Sequence, residues 1–213
     1  MVQNYNEMPI SMYGKILDVL RADLDGLDKE VALLAIVSGK SEGELVNMPL
    51  TDLRTITAKC GYLTEKPTVA EMRKEYSVGK YTLIPVKRIE RITAGQFIDF
   101  QEWAKMYRER NDVEYLPQIL SCFLIPKGKA YNVDYDIFEV QDAIREHLSV
   151  ADAMTLLAFF LDSTQRSQRN ILLYLEWRLR LTRAKTPEQK KAKKMQIAKI
   201  RELRDSLQNG DGQ

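Results

Sequence analysis

Helix start signals, each followed by apolar residues spaced three and four apart, constrain the fold of this chain more than any other sequence feature. In such a signal a short polar side chain caps the first helical turn, and a polar side chain three residues later often returns the bond. Apolar residues at helical spacing then form one buried face. The signals fall at Thr93 with Gln96, Asp136 with Glu139, Ser149 with Asp152, and Thr186 ahead of Pro187. The sequence therefore predicts a mainly α protein, built as a multi-helix bundle.

The first 63 residues are predicted to form a small helical unit. Its first helix has an apolar face that consists of Tyr13, Ile16, Leu17, Leu20 and Leu24. A second helix is expected over residues 27–37 and is expected to end at Gly39, because glycine commonly terminates helices. Two short helices follow, for which the expected caps are Ser41 with Glu44, and then Thr51 or Asp52, with Gly61 as the final stop.

Residues 64–92 are predicted to be a connection that contains one extended stretch, "KYTLIPVKRI". This stretch is rich in β-branched and aromatic residues, as strands are. Pro85 cannot donate a ladder hydrogen bond, so the stretch is expected to be an edge strand or part of a short hairpin. Its partner is expected near residues 131–135 or in another chain.

The segment "LPQILSCFLIPKGKAYN", residues 116–132, lies within a main helical domain predicted over residues 93–183. Pro117 is tolerable in the first turn of a helix, and Pro126 is expected to end that helix. The segment is therefore predicted to be a buried helix followed by a loop. Lys127, Lys129 and Tyr131 in that loop are candidate partner contacts, since they offer charge and an aromatic anchor.

The remaining helices of the main domain are read from their apolar faces. The first of them carries Phe97, Phe100, Trp103, Ala104 and Tyr107, and the helix after Ser149 carries Val150, Met154, Leu157, Ala158 and Leu161. Asp162 or Ser163 is expected to open one more helix. A long basic helix and a tail are predicted over residues 184–213, with a thin apolar ridge at Ile197, Ile200, Leu203 and Leu207.

Charge is distributed unevenly along the chain. Between Arg178 and Asp205 there are eleven Lys and Arg against three acidic residues, a segment charge of +8 in a chain of net charge +2. Such asymmetry indicates an acidic partner, a nucleic acid, or the acidic part of a neighbouring copy; a solvated helix face would also account for it. No aromatic residue follows Arg178 that could stack on bases. The candidate contacts in this segment are Arg183, Lys190, Lys191, Lys193 and Lys194.

The sequence contains no complete motif for catalysis, metal binding or cofactor binding. The "GKS" at residues 39–41 lacks the glycine five positions earlier that a phosphate-binding loop requires, because residue 34 is leucine. Cys60 and Cys122 stand apart from each other and from the one histidine, His147, so both are expected to be small buried residues. We expect no cofactor, no metal and no enzymatic activity.

Membrane insertion and secretion are likewise not expected. The longest apolar runs are far shorter than the roughly 20 residues that a membrane-spanning helix needs. The first residues lack the basic and apolar regions of a signal peptide. The chain is therefore expected in a cytoplasm.

Two groups of segments resemble proteins of tailed bacteriophages. "LLAIVSGKSEGELVNMPLTDLRTI" resembles a segment near the start of tail assembly chaperones. "RITAGQFIDFQEW", "LPQILSCFLIPKGKAYN" and "LSVADAMTLLAFFL", in that order, resemble a set of phage morphogenesis proteins. The resemblance covers residues 27–161 and transfers no active residue.

The resemblance implies a helical phage protein that acts by contact, with other phage structural proteins and as a homo-oligomer. It would be a virion component near the tail or packaged within it, present in the host cytoplasm during assembly and then in the virion. Two alternatives stay open: a tail assembly chaperone absent from the mature particle, and a nucleic-acid-binding protein that uses the basic helix. An enzyme would instead require a pocket where His147, Cys122 or an acidic pair converge.

Overall fold

The computed structural model describes residues 1–69, 71–110, 112–181 and 186–209. The chain is mainly helical with one small antiparallel sheet, as the sequence predicts. The α-helices are α1 (Ile10–Arg21), α2 (Gly26–Ser38), α3 (Glu42–Val46), α4 (Leu50–Lys59), α5 (Ala94–Arg110), α6 (Leu116–Ser121), α7 (Ile137–His147), α8 (Val150–Leu181) and α9 (Pro187–Asn209). The strands are β1 (Tyr76–Val78), β2 (Tyr81–Pro85) and β3 (Leu124–Pro126), and short 3-10 helices occupy Gly61–Thr64, Ile89–Arg91 and Val113–Tyr115.

The chain divides into two compact units. Unit 1 consists of Met1–Lys87 and Arg91–Phe159, and unit 2 consists of Arg88–Glu90 and Phe160–Gln213. Helix α8 begins in unit 1 and continues into unit 2. The sequence-based division into residues 1–63, 64–92, 93–183 and 184–213 stays a prediction.

The N-terminal helices of unit 1 close around a core of their own. This core consists of Met8, Ile16, Leu34, Val37, Leu45, Cys60 and Val150. The predicted capping box of α3 is confirmed, because Ser41 and Glu44 exchange side-chain and backbone hydrogen bonds. The predicted cap of α4 is wrong: α4 starts at Leu50, directly after Pro49, and no side chain caps it.

The predicted face of α1 is only partly buried. Ile16 is 2% exposed, whereas Leu20 is 49% and Leu24 is 41% exposed. The reason is that α1 ends at Arg21 and the chain turns into extended backbone at Ala22, so helical spacing no longer applies to Leu24. Leu27 at the start of α2 is 70% exposed as well. The end of α1, the connection and the start of α2 therefore present three leucines to solvent.

The sheet has the order β1-β2-β3, so β2 is its central strand. The expectation of an edge strand is wrong, and so is the expected partner near residues 131–135. Leu83 pairs with Tyr76 on one side and with Pro126 on the other. The expected hairpin is present, because Gly79 and Lys80 form a two-residue turn between β1 and β2. The predicted connection, residues 64–92, thus contains a second strand, β1, ahead of the predicted extended stretch.

Pro85 is compatible with the central strand because of its position along that strand. Val86 N donates to Phe123 O and Lys127 N donates to Thr82 O, so Thr82 and Val86 face β3. Alternate residues of an antiparallel strand turn their backbone groups to opposite sides, which points Pro85 away from β3. β1 starts at Tyr76, opposite Leu83, and therefore has no residue paired with Pro85. The missing N–H costs no ladder bond.

Helix α6 is buried, as predicted, but it is shorter than predicted. Pro117 lies in its first turn, and Leu116, Ile119 and Leu120 are at most 1% exposed. The helix ends at Ser121, and the next residues form a turn and then β3, so Pro126 ends a strand and not the helix. Tertiary pairing with β2 outweighs the helical spacing of Phe123 and Leu124.

The Gln96 side chain holds the turn after α6 in place by hydrogen bonds. Its Oε1 accepts from Thr93 N and its N donates back to Thr93, which confirms the predicted box at the start of α5. Its Nε2 donates at 3.0 Å to the buried Cys122 carbonyl, which α6 leaves without a helical partner. One amide therefore joins the start of α5 to the turn that leads into β3, where Phe100 and Phe123 stack edge to face.

The start of α8 is anchored by the N-terminal residues of unit 1. Ser149 Oγ accepts from Asp152 N, which confirms the predicted cap. Val150 N donates to the Met8 carbonyl and Ala151 N to the Tyr5 carbonyl, so two otherwise unpaired N–H groups are satisfied by backbone.

Helix α8 runs for 32 residues without a break, so the helix expected to open at Asp162 or Ser163 is its continuation. Its expected face is wrong in part, since Ala158 and Leu161 are exposed while Leu156 and Phe160 are fully buried. Helix α9 begins as predicted, with Thr186 and Gln189 exchanging side-chain and backbone bonds. No helix within the described residues is long and apolar enough to cross a membrane.

Candidate functional site

The loop after β3, residues 127–132, lies in unit 1 beside the turn of the β1–β2 hairpin. Lys127 N continues the ladder by donating to Thr82 O, and Lys129 N then donates to Pro126 O in a tight turn. Gly128 and Asn132 have positive φ values of 79° and 51°. The loop is therefore held by backbone bonds at a defined place on the sheet.

A groove of about 640 Å³ opens beside this loop. Its lining mixes both charges and two aromatic rings: Lys80, Tyr81, Thr82, Pro126, Lys127, Lys129, Asp134, Tyr135, Asp136 and Glu139. Several of these groups are engaged within the groove wall. Asp136 caps α7 by accepting from Phe138 N at 2.8 Å, and Lys127 Nζ lies 3.1 Å from Glu75.

Glu139 does not complete the capping box that was predicted for α7. Its Oε2 instead accepts from Lys80 Nζ at 2.6 Å and from Tyr81 Oη at 2.7 Å, so it joins α7 to the β1–β2 hairpin. The Lys80 hydrogen bond, with the Tyr81 bond second, holds the pKa of Glu139 below its usual value. The same contact with Glu139 raises the pKa of Lys80.

The three predicted contact residues of the loop have different surroundings. Lys127 is paired with Glu75, and Lys129 is exposed at the groove. Tyr131 is half-buried, and its Oη donates to Asp99 Oδ2 at 2.8 Å. The structure thus brings Lys127 and Lys129 to one groove, while the Tyr131 hydroxyl faces α5. Their role as partner contacts stays a prediction.

Cys122 is fully buried next to Tyr131, and Cys60 is also buried, as predicted. The Cys122 Sγ lies 3.8 Å from Tyr131 Oη and 3.3 Å from Gln118 O. Burial raises the pKa of Cys122 to about 12, so the thiol is protonated at neutral pH. A protonated, inaccessible thiol is a poor nucleophile.

His147 ends α7 and is exposed. Its ring lies against Gly79 in the turn between β1 and β2. Within the described residues no group of three or more His, Cys, Asp or Glu side chains is arranged to hold a metal ion.

In unit 2, α9 packs antiparallel to the second half of α8. Glu176 contacts Arg201 and Arg204, and one helical turn later the Arg180 carbonyl accepts from Lys193 Nζ at 2.8 Å. As residue numbers increase along α8, the numbers of the residues they contact on α9 decrease. We call this pair of helix segments, residues 160–181 and 187–209, the hairpin.

A buried carboxylate holds the hairpin together. Glu176 is 5% exposed and receives hydrogen bonds from Arg180 at 2.6 Å, Arg201 at 2.8 Å and Arg204 at 3.2 Å. The bond from Arg201 is the main cause that lowers the pKa of Glu176, opposed by burial and assisted by Arg180. These four residues and Leu173 line a cleft of about 430 Å³.

The predicted basic contacts of the last helix divide into two sets. Lys193 donates to a backbone carbonyl of α8, and two further arginines surround Glu176, so part of the basic charge acts inside unit 2. Lys190, Lys191 and Lys194 are exposed. Arg183 lies outside the described residues.

An apolar surface of the hairpin was not singled out from the sequence. Leu175 immediately precedes Glu176 and Leu203 immediately precedes Arg204, and they are 39% and 48% exposed. In an antiparallel helix pair, residues that precede the contact positions on each helix lie on the same side of the pair. Spacing alone could not find this surface, because it depends on which residues α8 and α9 turn toward each other.

The two units have opposite formal charge. Unit 1 contains 18 Lys and Arg against 23 Asp and Glu, a charge of −5, and unit 2 contains 14 against 7, a charge of +7.

Comparison of the chain with protein-family models, curated proteins and solved structures found no match. Function is therefore inferred from the surfaces described above.

Proposed function

We propose that this chain is a non-enzymatic structural or assembly protein of a tailed bacteriophage. It acts by protein–protein contact, as a virion component of the tail region or packaged within it. The alternative within the same class is a tail assembly chaperone that is absent from the mature particle. The phage assignment itself is supported by the resemblance of residues 27–161.

The observation that carries the proposal is the hairpin of unit 2. A pair of packed helices has little interior, so its stability and its surface both depend on what it contacts. None of the described residues of α9 is fully buried, yet the hairpin carries exposed Leu175 and Leu203 together with basic residues. Apolar side chains rimmed by charge are typical of protein–protein interfaces.

A second observation favours the nucleic-acid alternative and has to be tested beside it. Lys190, Lys191 and Lys194 are exposed near the start of α9. Lysines on one helix can neutralise phosphates, and binding of that kind weakens steeply with salt.

Light scattering on the purified chain separates these two functions. We expect multimers without nucleic acid, at low and at high salt, because exposed leucines do not lose their attraction when ions are added. A chain that is monomeric alone and changes mass only with DNA at low salt would instead support nucleic-acid binding. The triple variant Lys190→Glu/Lys191→Glu/Lys194→Glu serves as a control, since it should abolish DNA binding and leave multimers unchanged.

Presence in the particle separates a virion component from a chaperone. Phage particles purified by density gradient are expected to contain the chain in a constant ratio to the tail proteins. A chain that is abundant in infected cells and missing from purified particles would identify the chaperone.

A further inference from the structure

We propose that copies of this chain associate head to tail, with the hairpin of one copy bound to the connection between α1 and α2 of the next copy. The inference deepens the proposed function and rests on it, because it names the partner of the hairpin. Two surfaces of the chain support this association. Each surface has exposed leucines, and the two have opposite charge.

The first surface consists of the end of α1, the α1–α2 connection and the start of α2, residues 18–28, which we call the acidic turn. Leu20, Leu24 and Leu27 are 49%, 41% and 70% exposed in it. Its charged residues are all exposed: Asp18, Arg21, Asp23, Asp25 and Asp28. The acidic turn is therefore an apolar patch within an excess of negative charge.

The second surface is one side of the hairpin, which we call the hairpin strip. It consists of Leu172, Leu175, Leu179, Ile200 and Leu203, none of which is fully buried. Leu172 and Leu179 lie on the same side of Glu176 as Leu175, because they are displaced from it in the same sense around α8. Arg178 and Lys199 follow the strip at helical spacing, three residues after Leu175 and four before Leu203, and both are exposed.

Charge decides which surfaces meet. Two hairpin strips placed face to face would bring Arg178 and Lys199 of both copies together, and two acidic turns would bring their aspartates together. Like charges at an interface are unfavourable, whereas unlike charges steer association and fix its register. A strip against a turn pairs leucine with leucine and basic with acidic residues, and the net charges of −5 and +7 act in the same direction. Contact between two different surfaces extends to rings or filaments.

Two variants that each remove one surface test the pairing directly. Leu24→Ser/Leu27→Ser alters the acidic turn, and Leu175→Ser/Leu203→Ser alters the hairpin strip. We expect the wild-type mass, measured by analytical ultracentrifugation, to rise with concentration beyond a dimer. Each variant alone is expected to be a monomer. An equimolar mixture is expected to form a complex of two chains and no larger, because one intact turn and one intact strip remain.

Matched controls show whether exposed leucines in general or these leucines in particular are responsible. Val46→Ser/Leu50→Ser removes apolar residues of unit 1 that are at least as exposed as Leu24 and Leu27, and Met195→Ser removes an exposed residue of α9. Both are expected to associate like the wild type. Since Leu175 and Leu203 also belong to the hairpin, Lys199→Glu is a second strip variant that changes only charge, and it is expected to weaken association at least tenfold at low salt.

The outcomes distinguish this inference from the proposed function. A wild-type chain that associates while the two variants fail to complement each other overturns the head-to-tail contact and leaves an assembly protein with a different interface. Variants that associate as well as the wild type overturn it too. A wild-type chain that stays monomeric unless DNA is added overturns both.

Discussion

At the scale of single residues, the structure depends on a few atoms with more than one role. The Gln96 side-chain amide accepts from Thr93 N at the start of α5 with its oxygen and donates to the Cys122 carbonyl after α6 with its nitrogen. Glu139 accepts hydrogen bonds from Lys80 and Tyr81 of the β1–β2 hairpin. Glu176 accepts from Arg180 of its own helix and from Arg201 and Arg204 of α9. Such residues link distant parts of the chain, so conservative substitutions at them should have measurable effects.

Gly79 is expected to control the position of the one histidine. It has a φ of 56°, and a Cβ at this position would lie 2.9 Å from His147 Cδ2. Gly79→Ala should therefore lower the free energy of unfolding by about 1–2 kcal/mol through the backbone and displace the ring. Because the chain has one histidine, the ring is observed by NMR without ambiguity.

Gly128→Ala is the matched control for Gly79. Gly128 also has a positive φ, of 79°, but nothing lies within 4 Å of the added carbon. Its substitution should cost about 1 kcal/mol, again by the backbone, without moving the His147 signal. An unchanged His147 spectrum in Gly79→Ala would contradict the close approach.

Tyr131→Phe is expected to destabilise unit 1 by about 1 kcal/mol, because it removes the hydrogen bond to Asp99 from a half-buried site. Tyr81→Phe removes the same kind of bond, to Glu139, at an exposed site and should cost only a few tenths of a kcal/mol. Urea unfolding followed by circular dichroism measures both. Equal losses would show that burial does not strengthen the Tyr131 bond.

At the scale of elements, helix starts are well encoded and strand partners are not. The boxes at Ser41, Thr93 and Thr186 connect residues three apart, so they can be read directly from the sequence. β3 could not be found in this way, because it exists only through pairing with β2, some forty residues earlier. The groove beside residues 127–132 depends on the same pairing, so its lysines were predictable as loop residues and its walls were not.

The hairpin is expected to lose its pairing in acid. Since the pKa of Glu176 is lowered in the folded protein, its ionised form contributes stability above the ordinary carboxyl pKa of about 4.3, and this contribution is lost as the pH falls through the lowered value. Hydrogen-exchange protection of amides in α9 should therefore be high at pH 6 and should decrease once the pH is lowered below about 4.

Glu176→Gln should lower that protection already at pH 6 and remove most of its pH dependence, because three arginines lose their carboxylate. Glu202→Gln, at an exposed position of α9, is the control and should leave both protection and its pH dependence unchanged. Identical pH profiles for the wild type and Glu176→Gln would rule out this carboxylate as the link.

At the scale of the whole molecule, the two units are expected to respond differently to truncation. Deletion of residues 186–213 should abolish self-association, since it removes Ile200 and Leu203 of the hairpin strip. The core of the N-terminal helices lies entirely in unit 1 and should stay intact. Light scattering and circular dichroism measure the two effects. A truncated chain that unfolds, or that loses most of its helical signal, would contradict this prediction.

Local sequence was sufficient for the mainly helical class, for the starts of α3, α5, α8 and α9, and for the burial of both cysteines, because capping bonds and apolar spacing act within a few residues. Only the tertiary structure decided that β2 is central, that α6 stops at Ser121 and that α8 continues past Asp162. It also decided that three arginines of the basic segment surround one buried glutamate. Those outcomes depend on contacts between residues far apart in the chain, whose free energies outweigh local preference and leave no mark in the local pattern.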